Sequence, residues 1–259
     1  MSNPANVYLR RGGSGSPSVL LLHGLGGTGD VWTGVTNLLE QRWPGSWIVP
    51  DLPGHGRSGR LDQYTYSTMA QAIADGLDVH EPLLIMGHSL GGVLAMMLGT
   101  GQLGVDVRAV CALGVKPDDW PDGAMSAAAA VAAMPQPSFS DKSDAINHVV
   151  TSIGAAEVMS DAPTETWCWW DSAVHEVGGR WAPAMDSRAY AVGPHDMPEL
   201  VAHCRAELVL AGGTKDPLCR PELMQERQPT AVLLPGEGHY PHLRDPNTVW
   251  PLLQGLLDR

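Results

Sequence analysis

The chain has 259 residues, 44% hydrophobic and 17% charged, enough to build one large globular domain, or a domain with an insertion, without disulfides or metals. Its 16 Lys and Arg stand against 28 Asp and Glu, a formal net charge of −12 that argues against nucleic-acid and membrane-surface partners. No run of 18 apolar residues occurs and Met1 to Gly15 has no signal-peptide core, so no membrane span and a cytoplasmic location are expected. Cys111, Cys168, Cys204 and Cys219 form no Cys-x-x-Cys pair, which points away from a disulfide scaffold and from a zinc ribbon.

Val19 to Leu22 is an apolar run that ends at His23-Gly24, too short for a helix and suited to a strand buried on both faces. Val31, Val35, Leu38 and Leu39 then fall at helical spacing, with Asp30 placed to cap the start. Trp47 to Val49 reads as a second buried strand, and Met69, Ala72, Ile73 and Gly76 as a second helical stripe behind Ser67-Thr68. Leu83 to Met86 is a third strand that runs directly into Gly87-His88-Ser89. A largely apolar helix follows from Leu90 to Leu98. Val107 to Leu113, Glu207 to Leu210 and Ala231 to Leu234 are further strand candidates, and Val249, Leu252, Leu253 and Leu256 close the chain with an amphipathic helix. Strands alternating with helices predict an α/β fold around a mainly parallel sheet.

The middle differs. From Val115 to Pro194 no buried-strand pattern is visible, Ala124 to Ala133 reads as a small-residue helix, and Ile146, Val149, Val150 and Ile153 form a helical stripe. Five tryptophans, Trp120, Trp167, Trp169, Trp170 and Trp181, lie there. An all-helical insertion is expected, with further helices of the same domain as the plainer reading.

Gly87-His88-Ser89-Leu90-Gly91-Gly92 follows a strand and opens a helix, the context of a G-x-S-x-G elbow that lifts a serine hydroxyl clear of the sheet. Such a serine needs a general base. His239, in a glycine-rich loop after the last strand, is the leading candidate, and Asp216, after the preceding strand, is the matching carboxylate. The order Ser89, Asp216, His239, each just past a strand end, places all three where open α/β sheets bind ligands. His242 as base, and Asp118 or Asp119 as acid, stay open as alternatives.

Gly24-Leu25-Gly26-Gly27-Thr28-Gly29, with Asp51 at the end of the next strand, also fits a dinucleotide-binding fingerprint. A second reading makes this an open glycine loop whose Leu25 N–H, with that of Leu90, receives an oxyanion. Only the second reading also accounts for Ser89, Asp216 and His239.

Taken together, His23-Gly24, Asp51-Leu52-Pro53-Gly54-His55-Gly56-Arg57-Ser58, the Ser89 motif, Asp216 and Gly238-His239 closely resemble the α/β-hydrolase superfamily. The resemblance covers roughly residues 7–114 and 195–259. It implies an α/β-hydrolase fold whose core is residues 1–114 and 195–259, with 115–194 as an inserted helical cap. It further implies Ser89 as nucleophile, His239 as base, Asp216 as its partner, Leu25 and Leu90 as oxyanion donors, and a structural turn from Asp51 to Ser58. No cofactor or metal is implied.

The expected reaction is hydrolysis of a small, fairly apolar carboxylic ester or lactone through an acyl-enzyme. Carbon–carbon bond hydrolysis of a diketone-like substrate, acyl transfer or perhydrolysis could use the same residues, and a binding protein on a hydrolase scaffold is the alternative from another class. Candidate substrate contacts are His23, Gly24 and His88 beside the loops, and Phe139, Trp167 and Trp170 in the middle segment. Tryptophans there could equally be packing anchors.

Overall fold

The computed structural model describes residues 6–160 and 164–259, with only the backbone at 164 and 165. Positions 1–5 of the expected core and 161–163 of the expected cap therefore lie outside the described residues. In chain order the strands are β1 (Leu9–Gly13), β2 (Val19–Leu22), β3 (Ser46–Pro50), β4 (Leu83–His88), β5 (Val107–Leu113), β6 (Val174–Val177), β7 (Arg180–Pro183), β8 (Glu207–Gly213) and β9 (Val232–Leu234). The helices are α1 (Thr33–Arg42), α2 (Tyr66–Gly76), α3 (Leu90–Leu98), α4 (Ala124–Ala132), α5 (Lys142–Ser152), α6 (Ala156–Ser160), α7 (Met197–His203), α8 (Pro221–Arg227), α9 (Pro241–Arg244) and α10 (Trp250–Leu257).

Among the described residues, seven strands form one sheet in the order β1-β3-β2-β4-β5-β8-β9. All pairs are parallel except β1 with β3. The alternation of side chains along each strand splits the core in two. Val19 and Leu21 of β2 pack with Val49, Met86, α1 and α10, whereas Leu20 and Leu22 pack with Ile48, Ile85, α2 and α3. Both faces of the sheet are thus covered, which is why the strands read as unbroken apolar runs.

Two local features depart from the sequence expectation. The first helical segment begins as a 3-10 turn at Gly29, capped by the Thr28 side chain, which accepts from the Asp30 N–H. Asp30 is instead free to pair with Arg10 at 3.1 Å and Arg57 at 3.2 Å. Strand β1, Leu-Arg-Arg-Gly-Gly, has no apolar alternation because it is an edge strand with only its β3 side paired.

The segment between β5 and α7 is not all helical. Among its described residues it holds α4, α5, α6 and two 3-10 stretches, Thr164–Ala173 and Ser187–Ala191, but also an antiparallel hairpin of β6 and β7. Gly178 and Gly179 join the two strands with φ of 58° and 76°. This two-residue turn needs positive φ at both positions, which only glycine adopts freely, and it matches the right-handed twist of the strands. Phe139 extends the hairpin through paired backbone hydrogen bonds with Trp181. Ala145, Ile146, Val149, Val150 and Trp170 share one apolar cluster with the α1 side of the sheet, so the segment sits on the core.

Candidate active site

The end of β4 is built around two glycines. A Cβ on Gly87 would lie 2.1 Å from the Gly91 carbonyl oxygen, and one on Gly91 would lie 2.4 Å from that of Leu22. Between them Ser89 holds φ 52° and ψ −117°, the one non-glycine residue with positive φ among those described. Such a backbone costs on the order of 1–3 kcal/mol. It is held by the Ser89 N–H on the Leu113 carbonyl at 2.8 Å and by the Gly92 N–H on the Ser89 carbonyl at 2.9 Å. Leu90 then starts α3. Ser89 is half-buried, and with Leu25, Leu90 and Gly114 it lines a cavity of about 220 Å³.

The loops after β8 and β9 are joined by hydrogen bonds. The Lys215 N–H donates to the Glu237 carbonyl at 2.8 Å, and the Gly236 N–H donates to Thr214 Oγ1 at 2.8 Å. Gly213 permits the approach, since a Cβ there would meet the Glu237 carbonyl at 2.1 Å. This seam brings Asp216 Oδ2 to 2.7 Å from His239 Nδ1. The Asp216 carboxylate is fully buried and its Oδ1 accepts from the Leu218 N–H at 2.8 Å. A carboxylate only accepts, so His239 carries its proton on Nδ1 and keeps a lone pair on Nε2.

The pair adjoins the elbow. The His88 ring stands 4.6 Å from that of His239, and a Cβ on Gly114 would lie 3.4 Å from His239 Cε1 and 3.3 Å from His88 Cδ2. The alternatives lack this pairing, although the His242 ring also stands 4.6 Å from that of His88. His242 is buried, stacks on Trp32 at 4.3 Å, and neither ring nitrogen has a hydrogen-bond partner among the described residues. Burial, with His239 nearby, pushes its pKa down to about 3. Asp118 is bound by Lys116 and, at 2.6 Å, by Arg220. Burial pushes its carboxyl up, but those two cations outweigh it and hold it below the ordinary value. Asp119 is exposed.

The glycine loop folds as a turn, with the Gly27 N–H on the Gly24 carbonyl at 3.2 Å and Gly26 at φ 75°. Asp51 is buried and spent inside the protein: it accepts from the Gly29 N–H at 2.8 Å, the Arg57 N–H at 2.9 Å and Arg57 Nε at 2.7 Å. It therefore cannot serve as an exposed ribose ligand, and the fingerprint is a coincidence of spacing. Burial alone would raise the Asp51 carboxyl, yet the Arg57 and Gly29 hydrogen bonds hold it below the ordinary value. The Asp51 to Ser58 stretch is a structural turn, and its His55 is buried with its pKa lowered to about 3 by desolvation and by His23.

Several expected substrate contacts have other partners. His23 is fully buried; Nδ1–H donates to the Gly24 carbonyl at 2.8 Å and Nε2 accepts from the Leu52 N–H at 2.8 Å. It ties the ends of β2 and β3 together and does not reach the cavity. Gly24 abuts the elbow, since a Cβ there would lie 2.9 Å from His88 Nδ1 and 3.3 Å from Ser89 Cβ. His88 is buried and donates to a backbone carbonyl described below. Phe139 packs on His148 at 5.2 Å, Trp167 packs on the apolar core, and Trp170 is fully buried with Nε1–H on Met159 Sδ at 3.3 Å. Tryptophan as a packing anchor is the reading that fits Trp170.

The cavity walls with Ser89 instead include Tyr66, Lys116, Trp120, Tyr190 and His195. Lys116 and Trp120 follow the end of β5, so the strand-end rule that found Asp216 could have found them. Tyr66 and Tyr190 carry no signal of that kind. The Tyr66 hydroxyl donates to the Gly193 carbonyl at 3.0 Å and His195 Nε2–H to the Lys116 carbonyl at 2.8 Å. Desolvation lowers the His195 pKa. No group of three or more His, Cys, Asp or Glu side chains suited to a metal occurs among the described residues, and no helix among them is long and apolar enough to cross a membrane.

The chain is 43% identical over 90 residues, 34% of its length, to an uncharacterized protein of Mycobacterium tuberculosis, and 36% identical over 90 residues, 35% of its length, to a pimeloyl-[acyl-carrier protein] methyl ester esterase of Methylococcus capsulatus. These matches span only 26% and 34% of those relatives. The fold superimposes on that of the enol-lactonase from Burkholderia xenovorans LB400 with a TM-score of 0.76, 16% identity, and coverage of 100% of this chain and 98% of that one. A family model described as the alpha/beta hydrolase family matches residues 19–250, and the chain belongs to that family.

Proposed function

We propose that the protein is a serine hydrolase that cleaves a small, fairly apolar carboxylic ester or lactone. The observation that carries this reading is the strained Ser89 elbow in one cavity with Leu25 and Leu90, beside a His239 ring whose Nδ1 is 2.7 Å from the buried Asp216. Strain is kept at a position like this only where the surrounding structure over-determines it. Ester chemistry in the name of the Methylococcus relative, and lactone chemistry in that of the Burkholderia structure, agree with the reading.

In this mechanism His239 Nε2 takes the Ser89 proton as Oγ attacks the substrate carbonyl. The N–H groups of Leu25 and Leu90 receive the oxyanion, each contributing roughly 3 kcal/mol to the transition state. The imidazolium, stabilised by Asp216, passes its proton to the leaving alcohol, and His239 then activates water to free Ser89. Residues 115–194 act as a cap, their α4 and Tyr190 closing the cavity over Ser89.

Intact-mass analysis with a fluorophosphonate probe tests the proposal. One adduct on the wild type, mapped to Ser89 and suppressed in His239→Ala, is expected. No adduct under conditions that label a control hydrolase would overturn the reading in favour of a ligand-binding role.

A further inference from the structure

Helix α4 reads Ala-Met-Ser-Ala-Ala-Ala-Ala-Val-Ala and has no buried residue. Most helices in folded proteins draw their stability from a buried apolar face, and this one has an apolar sequence with none. Val131 in its last turn is 40% exposed and Met134 just beyond it 60% exposed.

Two cavities lie along this helix. Ala124, Met125 and Ala128 line the cavity of Ser89, whereas Val131 and Met134 line a second one of about 280 Å³. Tyr190 is a wall of both. Leu25 lines the first and its neighbour Gly26 the second, so the glycine loop borders both compartments. From Ala124 to Ala132 the helix advances about 12 Å.

Three polar side chains of the second cavity already have partners. Gln136 Nε2 donates to the Pro183 carbonyl at 2.7 Å and the Met185 carbonyl at 2.6 Å. The Ser152 hydroxyl donates to the Val149 carbonyl at 2.9 Å and that of Ser187 to the Ala132 carbonyl at 3.1 Å. His148, on its lining, is exposed, and Tyr190 brings a hydroxyl. Val131, Met134, Pro135, Pro137, Val149 and Ile153 make most of the rest of the lining apolar.

We infer that the substrate carries an elongated hydrocarbon limb, which runs beneath α4 from the Ser89 cavity past Tyr190 into the second cavity. This rests on the ester-hydrolase reading and extends it. The limb adds apolar contact to α4, which otherwise packs on the 3-10 turn Ser187–Ala191, so longer limbs gain more burial and a faster second-order reaction.

The test uses two ester series on the full chain: p-nitrophenyl esters from acetate to decanoate, and acetates of alkanols from ethanol to decanol. In one of the two, kcat/KM is expected to rise at least about 10-fold from the shortest to the longest member. Val131→Glu puts a carboxylate on the roof of the second cavity at an exposed helical site, where folding is not at risk. It is expected to lower the long-to-short ratio of kcat/KM about 10-fold. Turnover of short esters with fluorophosphonate labelling of Ser89, but no rise in either series, would overturn the inference while leaving the hydrolase reading intact. So would an unchanged ratio in Val131→Glu. A concentration-dependent dimer that Val131→Glu dissolves, with the ratio unchanged, would assign the exposed helix to self-association instead. If no ester turns over and Ser89 is not labelled, the hydrolase reading itself fails.

Discussion

His88 donates its Nε2–H to the backbone carbonyl of His239 at 2.8 Å, so the residue before the elbow serine holds the residue proposed as the general base. A carbonyl only accepts, which fixes the proton on Nε2. Desolvation, reinforced by the neighbouring His239 and His242, lowers the His88 pKa well below the ordinary value and keeps the ring neutral. The bond links β4 directly to the loop after β9, two strands that are not neighbours in the sheet.

His88 is therefore a positioning residue. His88→Phe keeps an aromatic ring and removes the donor, leaving the His239 carbonyl unpaired at a cost of about 1–3 kcal/mol. The expected result is a kcat reduced about 10- to 100-fold with KM little changed. Full activity would mean that the loop holds its place through the Asp216 pair alone.

Asp216→Asn removes the carboxylate that fixes the His239 tautomer and should reduce kcat by about 10⁴, as in other triads. Asp118→Asn, which loosens Lys116 and Arg220 but touches no base, should leave kcat within about one order of magnitude. Steady-state kinetics of both variants decide the matter. The reverse ranking would move the acid role to Asp118.

The elbow strain is separable from the chemistry. Ser89→Gly should abolish turnover, if Ser89 is the nucleophile proposed, but relieve φ 52°, since glycine adopts positive φ without penalty. It should be about 1 kcal/mol more stable than Ser89→Ala, which keeps a Cβ. For a chain of this size that is a Tm difference of about 2–4 °C. Equal melting temperatures would mean that the surrounding hydrogen bonds leave no strain at Ser89.

Acid should destabilise the fold. His23, His55, His88 and His242 are buried with lowered pKa values, in each case chiefly through desolvation, and His55 and His242 fall to about 3. Below the unfolded value near 6.5 the unfolded chain binds protons that the folded chain refuses. Their stabilisation is therefore complete above pH 6.5 and is lost as pH falls from there toward about 3, by up to about 1.4 kcal/mol per pH unit for each ring. Urea denaturation between pH 4 and 8 reads the slope. His242→Phe keeps the stacking on Trp32 at 4.3 Å and should flatten it by one proton. An unchanged slope would show that His242 does not contribute.

Much of the core was legible because its strands are apolar on both faces, so each of the β2, β3, β4, β5, β8 and β9 runs stood out. Strand β1 did not, because one edge and two arginines leave it no pattern. The Val174–Pro183 hairpin was missed although Gly178-Gly179 announced its turn, since His175 and Glu176 break the expected apolar strand. At the site, residues fixed by strand ends and glycine turns could be placed from sequence, and Asp216 lies beside His239. The cavity walls could not. Tyr66 comes from α2 and Tyr190 from a 3-10 turn, joined to Ser89 only by the folding of distant segments.

The seam between the β8 and β9 loops has a further consequence. β9 has three residues, ends the sheet, and exposes Val232 by 37%. Ser89, by contrast, hangs from the middle of the sheet. Short peripheral strands open at lower free energy than central ones. The proposed base His239 thus follows the strand that frays first and Asp216 follows its interior neighbour β8, while the proposed nucleophile sits on the part that frays last. Heating or mild denaturant should silence turnover while the bulk of the sheet still stands, and returning to native conditions should restore it without refolding the chain.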